Sequence, residues 1–225
     1  MAEFRDLIRR FGAWNGTAAV AAVLVLAVWA WSAPEFGTLK DTRDGKSYKT
    51  VKIGEQTWMA ENLNCEYKIG GKTFQNGTNA EYGRVYTWTA AMAGTDSGFF
   101  RVGGVPDGAR RGVCPEGWHL PDTADWNALF AAAGGKAVAG AILKSSSGWA
   151  GDGNGCDSCG FSALPSVNQD DGSFGLYAEF WSSTLAPPWN DVDRAFYAFF
   201  RHDDAEAGLK PAIVGRGASV RCVKD

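Results

Sequence analysis

The stretch that decides the fold is Cys114-Pro-Glu-Gly-Trp-His-Leu-Pro-Asp-Thr-Ala-Asp-Trp126. Trp118 and Leu120 alternate with His119, which is strand spacing. Pro121 ends the strand, because proline has no amide to donate to a central ladder. Asp122 predicts a helix N-cap, its carboxylate accepting unpaired amides of the first turn, and Asp125 favours the positive helix end. Trp126, Leu129, Phe130 and Ala133 then share one helical face, and Gly134-Gly135 stops the helix. A core strand feeding a capped helix predicts one mixed domain.

Working outward, Thr50 to Met59 reads as a hairpin turning at Gly54-Glu55. Val85 to Trp88 reads as a strand entering a short Ala-rich helix, Thr89 to Ala93, and Val138 to Leu143 as another short helix. Asn64 to Asn79, Thr95 to Arg111 and Gly148 to Gly160 read as loops, and from Phe161 the chain is strands and turns. Ten Trp, 13 Phe and 29 Gly in 225 residues suit short strands, aromatic packing and tight turns. No internal repeat or second domain is visible.

The formal net charge is −3, with no basic stripe interleaved with aromatics, so nucleic acid is not an expected partner. Residues 11–34 carry no charge, Ala18 to Trp31 is continuously apolar, and Arg5, Arg9 and Arg10 precede it, which places the N-terminus in the cytoplasm. The run fits a transmembrane anchor or a cleaved signal. Trp14 on one side and Trp29 and Trp31 on the other lie about 22–26 Å apart at helical rise, like an aromatic belt, which favours the anchor. The organisation expected is therefore 1–33 anchor or signal, 34–40 linker, and 41–225 one domain.

Five further stretches accompany the opening one: Asp44-Gly-Lys-Ser-Tyr48 with Gln56-Thr-Trp-Met-Ala-Glu-Asn-Leu-Asn64; Gly83-Arg-Val-Tyr-Thr-Trp88; Leu143-Lys-Ser-Ser-Ser-Gly-Trp149; Gly160-Phe-Ser-Ala-Leu-Pro165 with Phe180-Trp-Ser-Ser-Thr184; and Ser219-Val-Arg-Cys-Val-Lys-Asp225. Together they resemble the Fibrobacter succinogenes major paralogous domain family, related to C-type lectin-like and formylglycine-generating-enzyme folds. The resemblance implies an α+β, C-type lectin-like fold of short twisted antiparallel strands, two or three short helices and long loops, preceded by one N-terminal hydrophobic helix. It also suggests a disulfide between Cys114 and Cys222. Cys156 and Cys159 are close enough in sequence for a local bridge, and Cys65 is left over. Paired cysteines point to an oxidising compartment.

Catalytic signals are missing. His119 reads as a packed or hydrogen-bonded strand residue, and no Ser/His/Asp or Cys/His set has supporting context. Formylglycine-generating relatives use two cysteines near the C-terminus, whereas this chain has only Cys222 in its last 60 residues. No cofactor is expected. Asp152, Asn154 and Asp157 alternate like calcium ligands, but the Asp152-Gly-Asn-Gly-Cys-Asp157 run reads better as a turn whose Asp and Asn bond their own backbone. Trp189-Asn190-Asp191 spells the tripeptide that C-type lectins place on calcium and sugar, yet it lies 31 residues before Cys222 and lacks the partner Glu-Pro-Asn.

The strongest surface candidate is Ala195 to Arg201. Phe196, Ala198 and Phe200 share one strand face; Tyr197, Phe199 and Arg201 share the other, a composition typical of binding hot spots if exposed. The alternative is an ordinary strand covered on both faces. In similar lectin-fold proteins the interval around it can be the diversified cassette of a diversity-generating retroelement. From 185 to 218 only Trp189, Glu206 and Lys210 are not encodable with a pyrimidine third base; ordinary composition predicts about seven. The expected function is non-enzymatic, surface-displayed binding of a protein or glycan. The expected face comprises Trp189, Asn190, Asp191, Asp193, Tyr197, Phe199, Arg201, His202 and Asp203. A structural or fibre subunit is the alternative, and a sulfatase-modifying type of enzyme the third.

Overall fold

A computed structural model describes residues 33–66, 68–69, 72–73, 75–79, 82–92, 111–167 and 174–225. Ala33–Asp225 forms one compact unit. The region expected to hold the hydrophobic helix, 1–32, and most of the Gly-rich excursion at 95–111 lie outside the described residues. Among the described residues no single helix is long and apolar enough to cross a membrane.

Two sheets carry the fold. The first contains β1 (Glu35–Lys40), β2 (Ser47–Ile53), β3 (Gln56–Met59), β14 (Val223–Lys224) and β8 (Trp118–His119), in the order β1-β2-β3-β14-β8. The second runs β12 (Ala207–Ile213), β11 (Val192–Arg201), β10 (Phe174–Trp189), β13 (Gly217–Ser219), β7 (Gly83–Thr87) and β6 (Gln75–Asn79), with β9 (Ser166–Val167) pairing on β10. A separate two-stranded ribbon joins β4 (Lys68–Ile69) and β5 (Lys72–Thr73). All pairings between named strands are antiparallel except β10 with β13, where Phe180 faces Ser219. Among the described residues the α-helices are α1 (Trp88–Ala91), α2 (Thr123–Ala132) and α3 (Lys136–Leu143).

The expected α+β, C-type lectin-like architecture is thereby corrected: the described chain is mostly β. β10 spans 16 residues and β11 ten, so the long strands dominate. The sequence conceals them because Ser182 to Thr184 and Pro187-Pro188 interrupt the period of two. Register shifts between Trp181 and Leu185 and between Ala186 and Trp189 absorb these residues without ending the ladder. The stretch read as a linker, 34–40, is largely β1, paired with β2 from Glu35↔Lys52 to Lys40↔Ser47. Part of the polar stretch 64–79 likewise forms strands.

The opening stretch behaves as its chemistry demands. Trp118–His119 is β8, and the Asp122 side chain accepts from the amides of Ala124 and Asp125. The Asp125 carboxylate in turn accepts from the Asp122 amide, closing a capping box. Trp126, Leu129, Phe130 and Ala133 are all buried. β10 holds this unit in place, with Ser183 N–H donating to Pro121 O (2.8 Å) and Thr123 N–H to Thr184 Oγ1 (3.1 Å).

Two apolar clusters lie on opposite strand faces. Trp58 and Phe180 enter one, their neighbours Met59 and Trp181 the other, as alternation requires. In the first, Phe161 packs against Trp58, Trp126, Phe180 and Phe200 at centroid distances of 5.8–6.4 Å. The segment Val220-Arg221-Cys222 links β13 in one sheet to β14 in the other, and Cys222 forms the expected disulfide with Cys114. Arg221 is fully buried there. It donates to Asn62 Oδ1 (2.8 Å), Phe161 O and Ser162 O (2.6 Å), and stacks 4.4 Å from the Phe161 ring. Burial pulls its pKa down to about 9, so it keeps its charge at neutral pH.

Candidate functional site

The candidate residues do not form one site. β11 covers ten residues, so its ends lie roughly 30 Å apart at strand rise. Trp189, Asn190 and Asp191 sit at one end, Arg201, His202 and Asp203 at the other, with Tyr197 and Phe199 between.

At the first end, Trp189 pairs with Val192 across a two-residue loop, Asn190-Asp191. Their φ values are +50° and +57°, the signature of the primed turn whose twist matches an antiparallel hairpin. Asn and Asp tolerate this left-handed region better than other non-glycine residues. The tripeptide that spells a lectin sugar motif is thus a hairpin turn. Trp189 is 65% exposed, Val192 45% and Ile213 52%. Val192 and Arg194 alternate onto the strand face that is buried further along at Ala198 and Phe200, and Ile213 stands opposite Arg194. That face therefore runs past the helices that cover it and ends in three exposed apolar side chains. Arg194 is clamped across the hairpin, donating to Pro187 O through Nε (3.1 Å) and Nη2 (2.9 Å). Asp193 alternates onto the opposite face.

The face expected to be exposed, carrying Tyr197, Phe199 and Arg201, is half-buried and already has partners. Tyr197 meets Trp181 edge-on at 6.3 Å and lies beneath the Arg216 guanidinium, which is itself bound by both oxygens of Glu179 (2.9 and 2.8 Å). Phe199 covers Gly208, where an added Cβ would sit 2.9 Å from the ring, and Lys210 Nζ stands 4.1 Å from its centroid. An aromatic laid over a cross-strand glycine supplies the packing that glycine lacks. Arg201 donates to the Asp203 carboxylate through Nε (2.9 Å) and Nη2 (2.7 Å). This hydrogen bond holds the Asp203 carboxyl below its ordinary value.

The second end borders a cleft of about 500 Å³ lined by Lys144, Asp152, Asn154, His202, Asp203 and Asp204. The loop at 151–155 is pressed against the His202 turn, where a Cβ on Gly153 would lie 2.5 Å from His202 O. Lys144 Nζ, almost fully buried, donates to Arg201 O (2.8 Å) and Asp204 O (3.1 Å), and burial lowers its pKa despite the nearby Asp204 and Asp203. Asn154 Oδ1 accepts from Trp149 N–H (3.2 Å), while the Asp157 carboxylate accepts from Ser162 N–H (2.7 Å) and Ser162 Oγ–H. Two of the three calcium candidates, Asn154 and Asp157, therefore serve local turns while Asp152 lines the cleft, and among the described residues no group of three or more His, Cys, Asp or Glu is placed to hold a metal.

His119 joins two carboxylates, with Nδ1 2.6 Å from Asp225 Oδ1 and Nε2 3.2 Å from Asp125 Oδ2, and so ties β8 to the helix cap. The expected Cys156–Cys159 bridge is not formed, and both are free thiols. Cys156 is exposed beside Ser158 Oγ, whereas Cys159 packs on the core cluster, so the two side chains lie in different surroundings. Cys65 is a buried free thiol. Val192 and Ile213, which complete the apolar tip, were not expected. Their signal was available only as a face that alternation continues beyond its covering helices.

Residues 33–225 thus form a mostly β domain built on two main sheets, stapled by the Cys114–Cys222 disulfide and presenting a hairpin tip with a two-residue turn. Residues 51–224 match the Fibrobacter succinogenes major domain, and the chain belongs to that family. No curated protein and no solved structure matches it.

Proposed function

We propose that this chain is a non-enzymatic binding protein, displayed outside the bacterial membrane, that takes its ligand on the β10–β11–β12 hairpin surface with the Trp189 tip as anchor. The observation that carries this reading is Trp189, 65% exposed on a two-residue turn and flanked by exposed Val192 and Ile213. A large aromatic beside a tight two-residue turn has few rotatable bonds to order on binding, and such residues are enriched in binding hot spots. The aliphatic neighbours favour a protein over a glycan, since sugars stack on a lone aromatic among polar groups. Asn190, Asp191 and Asp193 supply polar specificity at the rim. The apolar run at 18–31 behind three arginines supports display on an N-terminal anchor, and the Cys114–Cys222 disulfide supports an oxidising exterior. Residues 185–218, the interval with the biased composition, make up the tip, β11 and β12, the place where sequence variation would alter a ligand.

The test is a screen of residues 33–225 against bacterial surface-protein and glycan arrays, run with and without calcium. The parent is compared with Trp189→Ala/Ile213→Ser and with Tyr197→Ala/Phe199→Ala/Arg201→Ala. Binding to a protein that falls at least tenfold in the tip variant supports the proposal. Binding to glycans alone replaces the ligand class, and loss confined to the second variant moves the site to the middle of β11. Concentration-dependent self-assembly without any ligand favours the structural-subunit reading.

A further inference from the structure

We infer that the pocket bounded by Tyr48, Glu61 and Asn64 is a second binding site, separate from the hairpin tip, for a small uncharged polyhydroxyl ligand of single-sugar size. The pocket encloses about 280 Å³, near the lower limit of small-molecule sites, which run from about 300 to 1,000 Å³. It lies where the start of β2 meets residues 61–64 and the start of β7, and Leu164 completes the wall. All of its lining residues fall within the family-like stretches at 44–48, 56–64, 83–88 and 160–165. Trp189, Val192 and Ile213 of the tip lie outside every one of those stretches.

Hydrogen bonds fix the wall. Ala60 N–H donates to Lys49 O (2.8 Å), Leu63 N–H to Val220 O (2.9 Å) and Arg84 N–H to Leu63 O (3.1 Å). Asn62 is buried, donating to Tyr82 O (2.9 Å) and accepting from Arg221 Nε (2.8 Å). Gly83, at φ +77°, presses so closely on this segment that a Cβ there would sit 2.7 Å from Asn62 Cβ. A wall held in this way loses little freedom when a ligand arrives.

Inside the wall, hydrogen-bonding capacity is left over. Tyr48 is only 4% exposed, and its hydroxyl oxygen accepts from Asn64 N–H (3.1 Å). A hydroxyl also carries a proton to donate, and among the described residues that proton has no acceptor. A buried donor without a partner is unfavourable, and an acceptor brought into the pocket relieves it. Burial pushes the Tyr48 phenol up to about 12, which keeps the proton in place at neutral pH. Glu61 accepts from Lys49 N–H through Oε2, and its Oε1 has no donor among the described residues. Asn64 bonds through its backbone alone, its N–H to Tyr48 and its O to Lys46 Nζ, so its side-chain amide is unused among them. A donor, an acceptor and an amide that does both are matched by hydroxyls, which donate and accept through one atom. A charged ligand fits less well. An anion would meet Glu61, a cation the Tyr48 donor, and Lys46 is already held by Asn64 O and Asp44 (3.3 Å).

The experiment is saturation-transfer NMR on the intact chain with glucose, galactose, mannose and N-acetylglucosamine, each beside its methyl glycoside. Glucosamine, galacturonic acid and serine are the charged controls. Expected is a Kd of about 10 mM or tighter for at least one uncharged sugar, and weaker binding of every charged control. Equal binding of the methyl glycoside identifies the end of a glycan chain as the source, and its loss a free sugar; both fit the inference. Tyr48→Phe removes only the hydroxyl and is expected to weaken binding about fivefold. Glu61→Gln is expected to weaken it about tenfold. Glu61 is exposed, and glutamine keeps an oxygen for Lys49 N–H, so this variant decides even where Tyr48→Phe fails to fold. Three results overturn the inference: no uncharged sugar binding at about 20 mM, a charged control binding more tightly, or unchanged affinity in Glu61→Gln. Affinity lost only in Trp189→Ala/Ile213→Ser overturns this site by placing the sugar on the tip, and leaves the tip itself standing as a binding surface.

Discussion

β11 begins at a turn that leaves Trp189, Val192 and Ile213 exposed and ends at a turn whose polar groups are closed on one another. At the second end Asp203 is held by Arg201, and Lys144 is buried on the carbonyls of Arg201 and Asp204. At the first, the strand face that is sealed by α2 and α3 around Ala198 and Phe200 outruns its cover. The difference teaches that residue type is a poor guide to availability. Tyr197, Phe199 and Arg201 have a hot-spot composition but their interactions are largely internal, whereas the apolar tip has a surface with no structural use.

The comparison presumes a common framework beneath both ends, and the largest effects test that framework. Replacing Cys114 and Cys222 by serine removes a bridge across 108 residues. It is expected to cost about 4–5 kcal/mol in urea unfolding, chiefly through unfolded-state entropy. A loss near zero would mean that the sheets hold both ends without it. Arg221→Met leaves Asn62, Phe161 O and Ser162 O without their buried donor, and about 3 kcal/mol should disappear in the same assay.

The next effects separate the ends. Trp189→Ala with Ile213→Ser should change stability by less than about 0.5 kcal/mol, as exposed side chains do, while ligand binding falls at least tenfold. A large stability loss would show that the tip is part of the core. Asn190→Ala places a Cβ without a local hydrogen-bonding group at φ +50° and should cost about 1 kcal/mol by thermal unfolding, loosening the tip alone. The smallest effect is in acid. Asp203 has a depressed folded pKa, so its clasp is present above the unfolded value of about 3.9 and is lost as pH falls through the folded one. An NMR titration below about pH 4 should therefore move the Arg201 and Asp203 signals and leave the Trp189 indole unchanged. Movement at both ends together would break the contrast.

Much of this was legible before any coordinates. The Asp122 cap, the buried face from Trp126 to Ala133, the hairpin turning at Gly54-Glu55 and the pairing of Cys114 with Cys222 follow from local chemistry or from family resemblance. The long β10 was not, because proline and serine runs mask a period of two that bulges carry through. The stretch 34–40, expected as a linker, is mostly β1, a strand exposed along nearly its whole length that pairing with β2 holds in place.

Caps, turns and apolar faces were determined by the sequence alone, since each rests on residues within a few positions of one another. Which face of β11 is covered was decided only by the tertiary structure. So was the fate of the Tyr197, Phe199 and Arg201 side chains, spoken for by Trp181, Arg216, Gly208, Lys210 and Asp203. The physical reason is that exposure is set by where neighbouring elements end, and alternation along one strand carries no record of how far the helices above it reach.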